Sequence, residues 1–340
     1  MSKILKVRNV NHALPEALNW LRVAGVTERS RNGLVLVAPG PVLTQYAYPL
    51  ERVLFSPTRD ANPFFHFFEA LWMLGGRNDV AYVGHFAKNM LNYSDDGDVL
   101  HGAYGFRWRE WFGFDQLSVL VSHLRQQPDS RRAVLSMWSP CGDLVSSEGA
   151  GGLSMKDVPC NTQCYFDLRD DVLNMSVMCR SNDLVWGAYG ANAVHFAFLM
   201  EYLAMRVGRP VGRMYQYSHN LHLYTDKFDE AWRERERHGP IEDRYSDDLA
   251  TPFPLLSEHG EDVEAWEHDL RNFMASRRPE RVQYYCAFFN HVVLPLARAH
   301  EAYRNNDFSA ARNHVEECEA SDWKHACAEW LTRREAGRKS

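Results

Sequence analysis

Several features that would assign a function quickly are missing from this chain. It has no Cys-x-x-Cys pair and no His-Glu-x-x-His, and its histidines are scattered, which argues against a structural zinc site. There is no Walker loop, and Gly149–Gly152 lacks the spacing and flanking elements of a dinucleotide loop. No apolar run is long enough to span a bilayer, and Met1 to Val10 contains no apolar signal-like segment. A basic excess is also lacking. The formal net charge of −6 argues against a general polyanion binder, although a local phosphate pocket stays open. Repeats and disordered linkers are absent. The seven cysteines, an odd number without a signal segment, fit a reducing cytosol, so a cytoplasmic location and no membrane or nucleic-acid partner are expected.

What is present reads as a mixed α+β domain over residues 1–247, followed by a helical C-terminal part over 248–340. Asn32-Gly33 reads as a turn into a strand at Leu34–Val37. Asn62-Pro63 opens a helix from Phe64 to Leu74 that Gly75-Gly76 closes. Tyr93 to Gly105 is loop-like, Ala133–Trp138 is a strand, and the Gly- and Ser-rich stretch Gly142 to Asp157 is a loop. Gln163–Leu168 and Val172–Cys179 form a hairpin through Asp170-Asp171. Asn192 leads into a strongly apolar helix to Arg206, and Gly212–Tyr217 is a strand. Helices are expected at Val263–Ala275, at Val282–Tyr303 with a kink at Pro295, and at Ser309–Arg334.

A lone cysteine is more often a small buried apolar residue than a nucleophile. Cys160 differs because Arg180 lies twenty positions on, at the end of the predicted hairpin. That fold-back would put a guanidinium beside the thiol and favour the reactive thiolate. The bland alternative is a surface ion pair between Arg180 and Asp183. Glu69 sits on an otherwise apolar helix face with Phe65, Phe68, Leu71 and Trp72, a costly place for a carboxylate unless it is paired or functional.

These residues fall in blocks. Pro159-Cys160, Arg180-Ser181-Asn182-Asp183 and Gly187 to Asn192 form the central one. Before it come Glu69-Ala70-Leu71-Trp72, Gly102-Ala103-Tyr104-Gly105 with Arg107-Trp108-Arg109, and Asp129-Ser130-Arg131-Arg132. After it comes His222-Leu223-Tyr224. In this order the blocks resemble the thymidylate synthase and nucleotide hydroxymethylase superfamily, over about two-thirds of the chain. The resemblance implies a thymidylate-synthase-like mixed sheet with packed helices, to which the C-terminal helices are an extension.

It also implies a chemistry. Cys160 would add to C6 of a pyrimidine nucleotide and make C5 a carbon nucleophile toward methylene-tetrahydrofolate, the co-substrate. Asn192 would hydrogen-bond the base edge, Glu69 would relay protons there, and Tyr104 would help remove the C5 proton. Arg180 and Ser181 would hold the phosphate together with Arg31, or Arg29 as the alternative. Arg131 and Arg132 would reach it from the second subunit of a homodimer. His222 and Tyr224 would hold the sugar hydroxyl, and Asp183 the pterin. No metal is expected.

Three departures bear on the product. The family's Trp-Asp-x-Trp element is replaced by Asn89 to Ser94, the apolar C-terminal tail by a basic one from Arg333 to Ser340, and Trp186 to Asn192 is one residue longer. A less closed site lets water reach the one-carbon unit. This favours 5-hydroxymethylation, known from phages with modified DNA, over reductive methylation, which stays as the alternative. The arginine pair and Ser181 point to a deoxyribonucleotide, dUMP or dCMP, since the amide of Asn192 can match either base. A cysteine hydrolase explains neither the arginine pair nor Asn192, and a scaffold protein gives no reason for the whole set.

Overall fold

The computed structural model describes residues 2–30, 33–144, 155–226, 241–256 and 262–339. Arg31 and most of the Gly142–Asp157 loop lie outside them. A six-stranded sheet, in the order β1-β4-β9-β7-β6-β5, forms the centre. Its strands are β1 (Lys3–Val7), β4 (Val42–Tyr46), β5 (Val134–Ser136), β6 (Asn161–Arg169), β7 (Val172–Cys179) and β9 (Val211–Ser218). The β6–β7 hairpin turns at Asp170 and Asp171, both at positive φ (53° and 61°). This is the left-handed pair that a two-residue hairpin turn requires, and aspartate tolerates it better than most residues.

Alternation along the strands makes the sheet two-faced. Val42, Thr44, Tyr46, Leu173, Met175, Val177, Met214 and Gln216 are buried against the helices. The opposite face carries a row through paired Leu43, Tyr217, Met178 and Gln163, and beside it Gln45, Tyr215, Ser176 and Tyr165. Each of these is half-buried or exposed in the single chain.

The buried face is covered by α1 (Val10–Ala24) and α6 (Asn192–Val207), and α2 (Pro63–Leu74) packs on α6. As expected, Asn62 caps α2, its side chain accepting from the Phe65 N–H at 3.1 Å. Gly75 ends the helix and Gly76 follows at φ +71°. Phe67 of α2 packs edge-on against Phe198 of α6, with ring centroids 5.8 Å apart. The short helices α3 (Val80–Phe86) and α4 (Tyr104–Arg109) follow, then α5 (Gln116–Gln126). Gly105 is obligatory because α4 crosses α2 there. A Cβ at that position would lie 2.0 Å from the Met73 carbonyl oxygen.

The C-terminal region is helical, with α7 at Val263–Ala275 as read from the sequence. Two other boundaries need correction. Val282 to Cys286 are not helical, because the Asp269 carboxylate accepts the N–H groups of Tyr285 and Cys286, both at 2.8 Å. A wide turn at Phe289–Val293 then leads into α8 (Leu294–Arg304). The chain is helical without interruption from residue 287 to Arg304, and Pro295 lies inside that run directly after the π-turn, which is the irregularity expected at this proline. The single helix expected over Ser309–Arg334 is two: α9 (Phe308–Glu316) and α10 (Ser321–Lys339). The break is held by the Glu319 N–H, which donates to the His291 carbonyl at 3.0 Å.

The last helix is part of the core. Trp323 lies 5.0 Å from Phe67 and Trp330 lies 5.5 Å from Phe64, centroid to centroid. Arg333 and Arg334 both pair with Asp60. Among the described residues, no helix is long and apolar enough to cross a membrane.

Candidate active site

A second, four-stranded sheet builds one wall of the largest cleft. Its order is β2-β3-β10-β8, with β2 at Val26–Ser30, β3 at Gly33–Val37, β8 at Asn182–Asp183 and β10 at Leu221–Tyr224. The parallel pairing of β10 with β8 sets His222 beside Asp183, and the antiparallel pairing with β3 sets Tyr224 beside Val35. The cleft holds about 1190 Å³. Arg29, Cys160, Arg180, Ser181, Asp183, His222 and Tyr224 all line it, with Tyr93, Trp138 and Trp186 as aromatic neighbours.

The β6–β7 hairpin does to Cys160 what its sequence spacing suggests. The Arg180 N–H donates to the Cys160 carbonyl at 2.9 Å. The guanidinium then folds over the Val158–Cys160 segment. Nε donates to the Pro159 carbonyl at 2.9 Å and Nη2 to the Val158 carbonyl at 3.1 Å, while Nη2 stands 3.9 Å from the Cys160 Sγ. The cation therefore both fixes the backbone that carries the thiol and sits beside it. Cys164 and Cys179 are buried, and burial pushes both thiols up, so neither competes as a nucleophile.

Behind the cleft floor lies a buried polar chain. The Tyr104 hydroxyl accepts from the Asn161 backbone N–H at 3.2 Å and from Asn161 Nδ2 at 3.0 Å. Asn161 Nδ2 also donates to Asn192 Oδ1 at 3.2 Å, Asn192 Nδ2 to Asn182 Oδ1 at 3.1 Å, and Asn182 Nδ2 to the Ser218 hydroxyl at 2.9 Å. Burial raises the Tyr104 phenol well above its ordinary value, so it stays protonated. Glu69 reaches from α2 to α6, where His195 Nε2 is 3.1 Å from its carboxylate. The stretch before Asn192, Leu184–Ala191, is wound as a wide π-type turn, with Tyr189 and Gly190 off helical geometry. That bulge leaves Asn192 at the start of α6 and in contact with Asn182.

The cleft's other wall is braced by a buried ion pair. Arg107 Nη1 and Nη2 donate to the two Asp143 oxygens at 3.0 and 2.8 Å, and neither side chain is exposed. His101 Nε2 is 2.8 Å from the same carboxylate. Asp157 accepts the Gly102 N–H at 2.8 Å and so ties the Tyr104 loop to the segment leading to Cys160.

Residues 44–242 match the family model described as thymidylate synthase. A deoxyuridylate hydroxymethyltransferase of Pseudomonas phage M6 is 46% identical over 345 residues, covering 98% of this chain and 95% of that protein. The chain belongs to the thymidylate synthase family. Proteins of the same name from Bacillus phage SP01 and Delftia phage PhiW-14 are 37% and 31% identical. The first alignment covers 55% of this chain and 50% of that protein. The second covers 70% and 67%.

Within this family frame, the structure brings Cys160, Arg180, Ser181, Asp183, His222 and Tyr224 into one cleft, with Tyr104, Asn192 and Glu69 packed behind it. Arg29, the alternative phosphate ligand, lines the cleft, whereas Arg31 lies outside the described residues. Arg131 and Arg132 are exposed on the turn before β5 and are absent from their own chain's cleft. Four residues escaped the sequence reading. Asn182 lies inside the central sequence block without a role being given to it, and Asn161 adjoins Cys160. His195 follows Asn192 by one helical turn and was legible as a partner for Glu69. Arg59 gave no signal. It is drawn inward by the Val185 carbonyl, which its Nε meets at 2.6 Å, and burial lowers its pKa to about 10 while Asp183 and Asp60 oppose the shift.

Proposed function

We propose that this chain is a folate-dependent C5 hydroxymethyltransferase acting on a pyrimidine deoxyribonucleotide monophosphate, deoxyuridylate before deoxycytidylate. The observation that carries the reading is Cys160 held under Arg180 in a cleft that also presents Ser181, Asp183, His222 and Tyr224. The relatives' name supports uracil as the base.

Cys160 would add to C6, breaking the ring's conjugation and making C5 nucleophilic. Arg180 would serve twice, as the charge beside the thiol and as a phosphate ligand with Ser181 and either Arg31 or Arg29. His222 and Tyr224 would meet the sugar hydroxyl. Asn192 would bind the N3–C4 edge, and Tyr104, a phenol beside Asn161, would pass on the C5 proton. Methylene-tetrahydrofolate, when bound, would supply a one-carbon unit at the oxidation level of formaldehyde. The residues present fit its pterin. Asp183 spends one oxygen on the Trp186 N–H at 2.6 Å, and the pterin could use the other. Burial raises the Asp183 pKa, so a donor-rich ring would be a welcome partner.

The hydroxymethyl product rests on access for water. Tyr93 and Trp186, which line the cleft, are each 46% exposed, and an aromatic wall that does not seal the site would let water reach the one-carbon unit. A homodimer is supported by the outer face of the large sheet, where Leu43, Tyr217 and Met178 are only half-buried and Tyr165 is exposed in the single chain. In that assembly Arg131 and Arg132, exposed and far from use in their own chain, would reach the partner's phosphate. We assign residues 1–247 as the catalytic part and 248–340 as helices packed on it.

The deciding assay incubates enzyme, methylene-tetrahydrofolate and either nucleotide, followed by mass spectrometry. A gain of CH₂O with tetrahydrofolate released is expected. A gain of CH₂ with stoichiometric dihydrofolate would make the enzyme a methylating synthase.

A further inference from the structure

The three-asparagine chain behind the cleft has a property that the reaction above does not use. Each of its links joins one carboxamide's N–H to the next one's oxygen, so the whole chain has a direction. As the structure has it, the direction runs from Asn161 through Asn192 and Asn182 to Ser218. The opposite direction keeps every link of the chain as well. With all three amides turned over, Ser218 donates to Asn182, Asn182 to Asn192, and Asn192 to Asn161 Oδ1. Both ends permit this because both are hydroxyls, Ser218 and Tyr104, which donate or accept.

Turning Asn192 over exchanges its oxygen and nitrogen at the edge that would face the base. Uracil presents N3–H and O4, a donor and an acceptor. Cytosine presents bare N3 and an amino group, the reverse. The two bases therefore demand opposite directions of the chain. An amide at position 192 alone cannot discriminate, so discrimination comes from whatever makes one direction cheaper.

Asn161 holds that position. It is completely buried, and its Oδ1 is a buried acceptor with no hydrogen-bond partner, while both of its donors, N–H and Nδ2, are spent on Tyr104 and Asn192. In the reverse direction that oxygen would accept from Asn192 and from the Tyr104 hydroxyl, and Nδ2 would be orphaned instead. The imbalance between an orphaned acceptor and an orphaned donor sits at this one side chain. In the observed direction Tyr104 accepts from two Asn161 donors and keeps its proton free for the reaction. In the reverse direction that proton is tied to Asn161.

We propose that Asn161 is the specificity-positioning residue of this enzyme: through Asn192 it sets which pyrimidine edge the site reads, and through Tyr104 it couples that choice to proton transfer. This rests on the nucleotide reading above, and turnover of either nucleotide by the unmodified enzyme tests that reading separately.

The test compares kcat/KM for dUMP and dCMP in the full-length enzyme and in Asn161→Asp and Asn161→Ala, with equilibrium binding of each nucleotide measured without folate. The carboxylate introduced by Asn161→Asp only accepts when ionised and would favour the reverse direction. The ratio of the two kcat/KM values should shift at least tenfold toward the disfavoured nucleotide. The alanine variant should move the ratio toward unity. Ser218→Ala, which perturbs the chain from its far end, provides an independent variant if either Asn161 substitution fails to fold. It should also narrow the ratio. Equal losses on both nucleotides in the folded variants, leaving the ratio at the wild-type value, would overturn the proposal and leave Asn161 a packing residue.

Discussion

Removing the Asp143 carboxylate should cost far more than removing the whole Arg107–Asp143 pair. Asp143 accepts two bonds from Arg107 and the Ser139 N–H at 2.7 Å, and it touches His101. In Asp143→Leu, Arg107 stays buried with no carboxylate, keeping the carbonyls of His101 and Met137, the His101 Nε2 2.9 Å from its Nη2, and the Trp111 ring 3.8 Å from its guanidinium carbon. A buried charge stripped of its partner costs about 3–5 kcal/mol. For a chain of 340 residues that corresponds to a fall in Tm of roughly 4–7 °C. In the double variant Arg107→Met/Asp143→Leu both desolvated ions leave together, so most of that loss should be recovered. The pair also carries a pH signature. Burial pushes the Asp143 carboxyl up, but hydrogen bonds from Arg107, Ser139 and His101 outweigh it and hold the pKa below the ordinary carboxylate value. A folded pKa below the unfolded one means the stabilisation is full above the unfolded value and is lost as pH falls below it. Scanning calorimetry of the three proteins across acidic pH reads both effects. A single variant within about 1 kcal/mol of wild type, or a double variant no more stable than the single one, would refute the reasoning.

Three further outcomes are expected. Cys160→Ala should abolish turnover and tritium release from C5-labelled nucleotide, yet bind the nucleotide nearly as well by calorimetry, because the phosphate and sugar contacts remain. Mixing inactive Cys160→Ala chains with inactive Arg132→Ala chains should restore activity in heterodimers, and no recovery after demonstrated subunit exchange would count against arginines acting across the interface. His300 is buried against Phe64, Phe86 and Tyr303, and burial together with His85 and Arg304 pushes its pKa down from 6.5 to about 3. It is therefore neutral in the folded chain and must charge on unfolding in acid. Its contribution is complete above the unfolded pKa and is lost as pH falls, by up to about 1.4 kcal/mol per pH unit. His300→Phe should flatten that part of the Tm–pH curve.

Local rules carried the sequence reading where local chemistry decides. Asp170-Asp171 made the hairpin visible, and Asn62 with Gly75-Gly76 bracketed α2. The hairpin in turn made Arg180 legible as the neighbour of Cys160. The reading failed where distant groups decide. Nothing between Val282 and Cys286 breaks a helix. Asp269, from another helix, takes their amides. The gap between α9 and α10 has neither glycine nor proline and depends on His291. The N-terminal helix α1, which Asn9 caps and which holds Pro15 in its interior, went unread. The polar chain through Asn161 and Asn182 was hidden for a related reason: an amide's partners are set by three strands and a helix meeting, and spacing along one segment does not reveal them.

The joining of α10 to α2 has a consequence for the order in which the protein is made. Phe64 and Phe67 emerge from the ribosome well before their partners Trp330 and Trp323, which lie more than 250 residues further along the chain. At translation rates of about 5–20 residues per second, the nascent chain exposes that aromatic strip for on the order of ten seconds or more. A late stop codon would therefore not trim an accessory tail. It would release a polypeptide holding every reacting group named above, with its hydrophobic centre permanently open to chaperones, proteases and other nascent chains.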